Sequence, residues 1–425
     1  MPYQSTSLLS SKLTAIPIAS AMLLCLSLLA LASSALCTAT SLKISPSQVP
    51  LPKPTGLYQV GLSVTELIDY NRTQPFLQDY EPIKLMISVF YPVIHQHHST
   101  MSAYMPPETA SFEDLELSAA GLAAPNGTFE KLTLHVASNE PYENLGNQTT
   151  CQYPLVLFMP GEGTSRHFYN QIASTVASTG YIVVTVDAPY DVDVVEYPDG
   201  SLAIYNRTLW GTEDQIALNQ TGYLAVETRS EDVSFVLDSL SNTNLAHSLI
   251  PNLPPSGLNT THTAMFGHSL GGATAFSVLE SDDRILGGLD MDGGLYGPGL
   301  LAGTSKPFML MGHAGHTRGN ENTDPFLTWE TVWPLLTGWK RDIIVANTGH
   351  YEFTDYPIVF ETLGITPRNE TVLEMNILLG SMEGKRALDI VTSYAGAFLD
   401  YVIYGKCSAL LEGPVKEFPE VTFEY

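Results

Sequence analysis

Basic residues are scarce in this chain: 19 Lys and Arg stand against 44 Asp and Glu in 425 residues, a formal net charge of −25. A surface of that sign repels phosphate backbones and anionic headgroups, which excludes nucleic-acid binding as the main role. Charge of either sign is sparse as well, 15% where globular proteins carry ~25%, so solubility calls for another contribution. Cysteine is rarer still, with only Cys25, Cys37, Cys151 and Cys407, and no CxxC pair or other zinc-ligand spacing occurs. No internal repeat is visible, and beyond the amino terminus no apolar run is long enough to cross a bilayer.

What the chain does have begins with Lys12 and an apolar run from Ile16 to Leu31, followed by the small residues ASSALCTAT. This is the pattern of a secretory signal peptide, expected over residues 1–39, with a signal anchor as the alternative. Cleavage after Ala39 would leave Cys151 and Cys407 as a pair, and a disulfide between them is an expectation for an oxidising compartment. Seven Asn-x-Ser/Thr sequons, at Asn71, Asn126, Asn147, Asn206, Asn219, Asn259 and Asn369, agree with export and with glycans as the missing solubilising groups. The expected location is extracellular.

Residues 40–56 are rich in Ser and Pro and read as an extended lead-in to a catalytic domain over 57–425. The runs LMISVFYPV (85–93), PLVLFMP (154–160), YIVVTVD (181–187), ILGGLDM (285–291), PFMLMGH (307–313) and DIIVANT (342–348) have the continuous apolar, β-branched character of strands covered on both faces. Helical patterns lie between and after them, at 167–180 up to Gly180, at 230–240 behind a Ser230 cap, and at 385–403. Such alternation predicts an α/β fold, a mostly parallel central sheet flanked by helices. Residues 94–152 break the rhythm and read as an insertion over one end of the sheet, either a substrate lid or decoration. Within it His95, His97 and His98 read as a solvated loop rather than a metal site, as do His313 and His316 later in the chain.

The stretch AMFGHSLGGATAF (264–276) holds Ser269 in a GxSxG pattern between a strand-like and a helix-like segment, the signature of a nucleophile elbow. Gly267 and Gly271 are the elbow glycines, needed where the turn leaves no room for side chains. A serine hydroxyl needs a base and an orienting carboxylate, expected in the chain order Ser, Asp, His. His350 follows the strand DIIVA, and Asp292 follows ILGGLDM, with Asp290 and Asp324 as competing acids. The turn MPGEGTS after an early strand offers the Glu162 backbone N–H, and the elbow offers that of Leu270, as oxyanion donors.

At YPLVLFMPGEG, GHSLGGATAFSVLESDDR, LDMDGG and GHYEFTDY the chain resembles the secreted, plasma-type platelet-activating factor acetylhydrolases and their fungal relatives, which are α/β-hydrolases. The resemblance implies Ser269 as nucleophile, Asp292 as acid, His350 as base and the amides of Glu162 and Leu270 as oxyanion donors. It also implies a serine esterase without metal or cofactor, acting on short sn-2 acyl esters of glycerophospholipids. Three departures stand out: Pro160-Gly161 where the family commonly has His-Gly, Glu162 where it has an apolar residue, and Gly293-Gly294 where it has an aromatic residue just after the acid. A broader carboxylesterase or polyester hydrolase with the same triad is the alternative, and a non-catalytic hydrolase-like binding protein the second. The expected partner is a small ester or phospholipid; contact with a lipid interface and the oligomeric state are left open.

Overall fold

A computed structural model describes residues 48–93, 99–119, 125–137, 152–212, 214–297, 299–318, 328–365 and 379–425. The main sheet has nine strands: β1 (Gln59–Thr73), β2 (Pro82–Val93), β3 (Leu155–Met159), β4 (Ile182–Val186), β5 (Thr263–His268), β6 (Ile285–Met291), β7 (Phe308–His313), β8 (Lys340–Val345) and β9 (Val421–Phe423). Their spatial order is β9-β8-β7-β6-β5-β3-β4-β2-β1. The six strands from β4 to β8 run parallel, while β2 lies antiparallel on β4, β1 antiparallel on β2, and β9 antiparallel on β8. The expected mostly parallel α/β-hydrolase sheet is therefore present.

Period-two alternation sends each strand's side chains to two separate cores. On β3, Val156 and Phe158 join one face with Phe266 and Met311, while Leu155, Leu157 and Met159 join the other with Met265 and Phe308. The first face is covered by Ile172 and Val176 and by Ile390, Tyr394 and Phe398, from helices Asn170–Ala177 and Gly384–Tyr404. Val233, Val236 and Leu237 of helix Gln215–Leu240 cover the second, with Phe276 and Val278 of helix Leu270–Ser281. Burying each such side chain is worth ~1.5–3 kcal/mol, so these two layers are what hold the strand ends in register.

Three features differ from the expectations. The helix placed at 230–240 begins at Gln215, so Ser230 is an interior residue, and its hydroxyl donates to the Val226 carbonyl one turn back rather than capping an end. Strands β1 and β9 carry no strong signal: β1 has exposed and half-buried positions on a sheet edge, and β9 is only three residues long. The irregular-looking segment 94–152 contains helix Pro107–Ala119 and strands Ser99–Ala103 and Leu132–Ala137, the latter pairing with Val49–Pro50 of the lead-in. His95, His97, His98 and Cys151 lie outside the described residues, so the Cys151–Cys407 pairing does too; Cys407 is exposed. No helix among the described residues is long and apolar enough to cross a membrane.

Candidate active site

Ser269 stands at the junction of β5 and helix Leu270–Ser281 with φ 54° and ψ −122°, a conformation costing a non-glycine residue ~1–3 kcal/mol. The surroundings over-determine it. Its N–H donates to the Met291 carbonyl at 2.9 Å, and its own carbonyl accepts from Gly272 at 2.8 Å. A Cβ on Gly267 would strike the Gly271 carbonyl, and one on Gly271 would strike that of Met159, so both elbow glycines are fixed by close backbone approach.

Asp292 follows β6 in the left-handed region, φ 61°, with its N–H on the Met311 carbonyl at 2.8 Å. This turn brings the carboxylate beneath His350, whose Nδ1 lies 2.6 Å from Asp292 Oδ2. His350 opens the short helix after β8 and is half-buried, whereas Asp292 is fully buried. Asp290, the competing acid, stays within β6, where it accepts from the Gly293 N–H at 2.9 Å and Trp329 Nε1 at 3.0 Å. Burial pushes the Asp290 carboxyl well up, and the nearby Asp292 adds to the rise. The other competitor, Asp324, lies outside the described residues.

His313 and His316 correct an expectation. They are not a solvated loop: His316 is buried against Trp329, with ring centroids 3.8 Å apart, and both rings turn to Asp292. His313 Nδ1 lies 2.8 Å from that carboxylate and His316 Nδ1 3.2 Å, and the His313 backbone N–H donates to it at 3.0 Å. No linear spacing links an Asp with histidines 21 and 24 residues later; only the pairing of β6 with β7 does so. Burial alone would raise the Asp292 carboxyl, but the charge of His313 and the hydrogen bonds from His313, His316 and His350 outweigh it and hold it well below the usual range. In return, burial opposes charge on His313 while Asp292 more than offsets it, leaving that imidazole raised.

The loop Pro160–Gly163, expected to supply an oxyanion donor, is held by contacts that the sequence pattern did not reveal. Arg229, fully buried in helix Gln215–Leu240, pairs with buried Asp191 through Nε at 2.6 Å and Nη2 at 2.9 Å, and its Nη1 donates to the Pro160 carbonyl at 2.6 Å. Opposite it, the Gly161 N–H donates to the Tyr169 hydroxyl at 3.1 Å, and that hydroxyl meets His268 Nδ1 at 2.8 Å. His268 Nε2 faces the His350 carbonyl at 2.9 Å. A carbonyl can only accept, so Nε2 carries the proton and Nδ1 accepts from Tyr169. Burial, with His350 nearby, pushes His268 well below the usual imidazole range and so keeps it neutral. The loop at Gly161, the turn at Ser269 and His350 are thereby linked by one chain of hydrogen bonds. The Glu162 and Leu270 backbone N–H groups donate to no acceptor among the described residues.

The Glu162 side chain turns to Tyr205, whose hydroxyl donates to it. Burial, opposed by that hydrogen bond, pushes its carboxyl up to about 7. Leu270 packs in an apolar cluster with Phe76 and Trp210, bordered by half-buried Tyr190, Tyr205 and Tyr296. Five residues after His350, Asp355 accepts from the Gln171 and Ile172 N–H groups at the start of helix Asn170–Ala177 and from the Tyr104 hydroxyl, at 2.7, 3.2 and 2.9 Å. Of the sequons, Asn71, Asn126 and Asn219 are exposed and Asn259 half-buried, and Asn147 and Asn369 lie outside the described residues. Asn206 is engaged: its Nδ2 donates to the Phe76 carbonyl at 2.8 Å and its Oδ1 accepts from the Thr208 N–H.

Comparison with known proteins adds three findings. A family model described as platelet-activating factor acetylhydrolase, isoform II, matches residues 43–194, which include the Pro160–Gly163 loop and stop short of Ser269. Over 89% of this chain and 94% of the relative, the sequence is 29% identical to a probable 1-alkyl-2-acetylglycerophosphocholine esterase of Arthroderma benhamiae. It is 24% identical to the platelet-activating factor acetylhydrolase of Cavia porcellus, over 88% of this chain and 84% of that one. Among solved structures, a ferulic acid esterase from Streptomyces cinnamoneus superposes with a TM-score of 0.71 at 26% identity, covering 89% of this chain and all of that one.

Proposed function

We propose that the chain is a member of the platelet-activating factor acetylhydrolase family, as the match over residues 43–194 and the 29% identity to a full-length relative support, and that it is a secreted serine esterase that removes the short sn-2 acyl group of glycerophospholipids through Ser269, His350 and Asp292. The observation that carries the residue assignment is the 2.6 Å contact between His350 Nδ1 and a buried carboxylate held ionised by its neighbours.

His350 takes the Ser269 hydroxyl proton as the oxygen bonds to the ester carbonyl carbon, and Asp292 fixes the tautomer and stabilises the imidazolium. The negative charge collects on the former carbonyl oxygen, where the Glu162 and Leu270 N–H groups receive it. Collapse of this intermediate breaks the bond to the lyso-phospholipid oxygen, which leaves with the proton from His350. Water then loses a proton to His350, adds to the acyl-enzyme, and releases the carboxylic acid with Ser269 restored. No step calls for a metal or an organic cofactor. The half-buried tyrosines beside Leu270 and Trp210 suit a short apolar acyl chain.

Ser269→Ala is expected to lower turnover on an acetyl phospholipid by a factor on the order of a million. Activity within tenfold of the unmodified enzyme would end the assignment. A series of sn-2 chains from two to sixteen carbons then separates the phospholipid esterase from a broader carboxylesterase: a steep fall in kcat/KM with length supports the first, a flat series the second. Export and glycosylation at Asn71, Asn126 and Asn219 are checked by peptide mapping of the secreted chain.

A further inference from the structure

Asp292, His313 and His316 bring one ligand atom each to a common point, all within 4.8 Å of one another. We propose that this trio binds a borderline divalent metal of the zinc type, and that the bound ion switches the esterase off by taking Asp292 from His350. The inhibitory half rests on the triad described above; the binding half does not.

Two imidazole nitrogens and one carboxylate oxygen form a donor set suited to Zn²⁺ and unsuited to Mg²⁺ or Ca²⁺, which prefer oxygen. Ligands around tetrahedral zinc stand roughly 3.3 Å apart, from bonds of ~2.0–2.1 Å. Here His313 Nδ1 and His316 Nδ1 lie 2.8 and 3.2 Å from Asp292 Oδ1, and no pair of the three ligand atoms is more than 4.8 Å apart, so the rings close on an ion by turning toward it. Both histidines are anchored: His313 ends β7, and His316 is stacked on Trp329 with its backbone N–H on the His313 carbonyl at 2.9 Å. Coordination through Nδ1 leaves His316 Nε2, which is buried and has no hydrogen-bond partner among the described residues, as it is. His313 is half-buried and gives the ion a way in from solvent.

The consequence for the reaction follows from the shared carboxylate. Zinc accepts lone pairs from both rings and from Asp292, and any proton on the coordinating nitrogens leaves to water. The Asp292 charge is then spent on the ion, and the 2.6 Å contact to His350 no longer stabilises an imidazolium. Loss of the acid's function in such triads costs ~10⁴-fold in turnover, which sets the upper bound on inhibition.

The test uses the full metal-stripped enzyme carrying His95→Ala, His97→Ala and His98→Ala, so that the other histidine-rich segment contributes nothing. Zn²⁺ is titrated by calorimetry while hydrolysis of an acetyl phospholipid is followed in parallel, with Mg²⁺ as control. One equivalent of zinc is expected to bind and to lower kcat at least tenfold, reversibly by chelator, while Mg²⁺ does neither. In Ser269→Ala the binding persists although turnover is gone, which separates failure of this site from failure of the triad. His313→Gln and His316→Phe, the latter keeping the stack on Trp329, should each weaken zinc binding more than tenfold; should either misfold, Co²⁺ added to the unmodified enzyme reports mixed nitrogen and oxygen ligation in its visible spectrum. No stoichiometric binding, binding unaltered in folded variants, or full turnover at saturating zinc each overturns the proposal.

Discussion

Replacing Arg229 by Met removes the cation behind the oxyanion loop while keeping most of its volume. Both charges of the Arg229–Asp191 pair are fully buried, and the contact is two-pronged at 2.6 and 2.9 Å. Breaking such a pair by removing one member costs ~3–5 kcal/mol, because the remaining carboxylate keeps its desolvation penalty. Burial already raises the Asp191 carboxyl despite Arg229, so at acid pH it takes up a proton and the cost falls toward the lower figure. Unfolding entropy of ~2.1 cal/mol/K per residue over 425 residues is ~0.9 kcal/mol/K, so the loss appears as a Tm lower by ~3–6 °C. Activity falls too, since Nη1 no longer holds the Pro160 carbonyl and the Glu162 N–H loses its aim. Losing one oxyanion donor outright costs ~10²–10³ in kcat, so a drop of ten- to several-hundredfold is expected. Calorimetric scans at pH 5.5 and 8 read the first effect, and kcat on an acetyl ester reads the second. In the double variant Arg229→Met, Asp191→Leu most stability should return while kcat does not. A single variant that melts within ~1 °C of the parent with normal kcat would refute the reasoning.

Three further outcomes follow from the same geometry. Glu162 is held up at about 7 by burial, so it is neutral below that pH and anionic beside the developing oxyanion above it; Glu162→Gln should remove an alkaline decline in kcat centred near pH 7, and an unchanged profile would count against it. The same group binds its proton more tightly folded than unfolded, so its contribution to stability is full below ~4.5 and is lost as pH rises through about 7; the Tm of Glu162→Gln should therefore vary less between pH 5 and 8 than that of the parent. Tyr169→Phe leaves the Gly161 N–H without an acceptor and His268 Nδ1 without a donor, each costing ~1–3 kcal/mol, and should lower both Tm and kcat with little change in KM.

Much of this was legible in the chain because it is written in local signals. A continuous apolar run bounded by Gly or Pro reports a doubly covered strand wherever it sits, which is why β3, β4, β6 and β7 were found within a residue and β8 within three. The elbow was legible for the same reason, since GxSxG encodes one turn. β1 was not, because an edge strand lets water reach one side and its apolar pattern weakens. Arg229 and His268 were invisible for a different reason: their partners come from other elements, 69 and 99 residues away for Pro160 and Tyr169, and no local pattern reports a contact of that kind.

Asp290 and Asp292 show where sequence order ceases to decide. Both are buried acids at the end of one strand, two residues apart, and burial pushes each toward the neutral form. Alternation along β6 puts them on the same side of the strand, so periodicity cannot choose between them. The turn does: Asp292 is already past the strand in the left-handed region, where its carboxylate meets three imidazoles, whereas Asp290 meets a backbone N–H and an indole. Cationic or strongly polarised donors favour the ionised acid and neutral ones alone do not offset its desolvation, so the two residues end with carboxyls displaced in opposite directions. A triad can use only the one that stays charged, and a metal seeking a carboxylate would find the same one. On the proposed mechanism, catalysis and zinc would therefore compete for Asp292 and pass over Asp290.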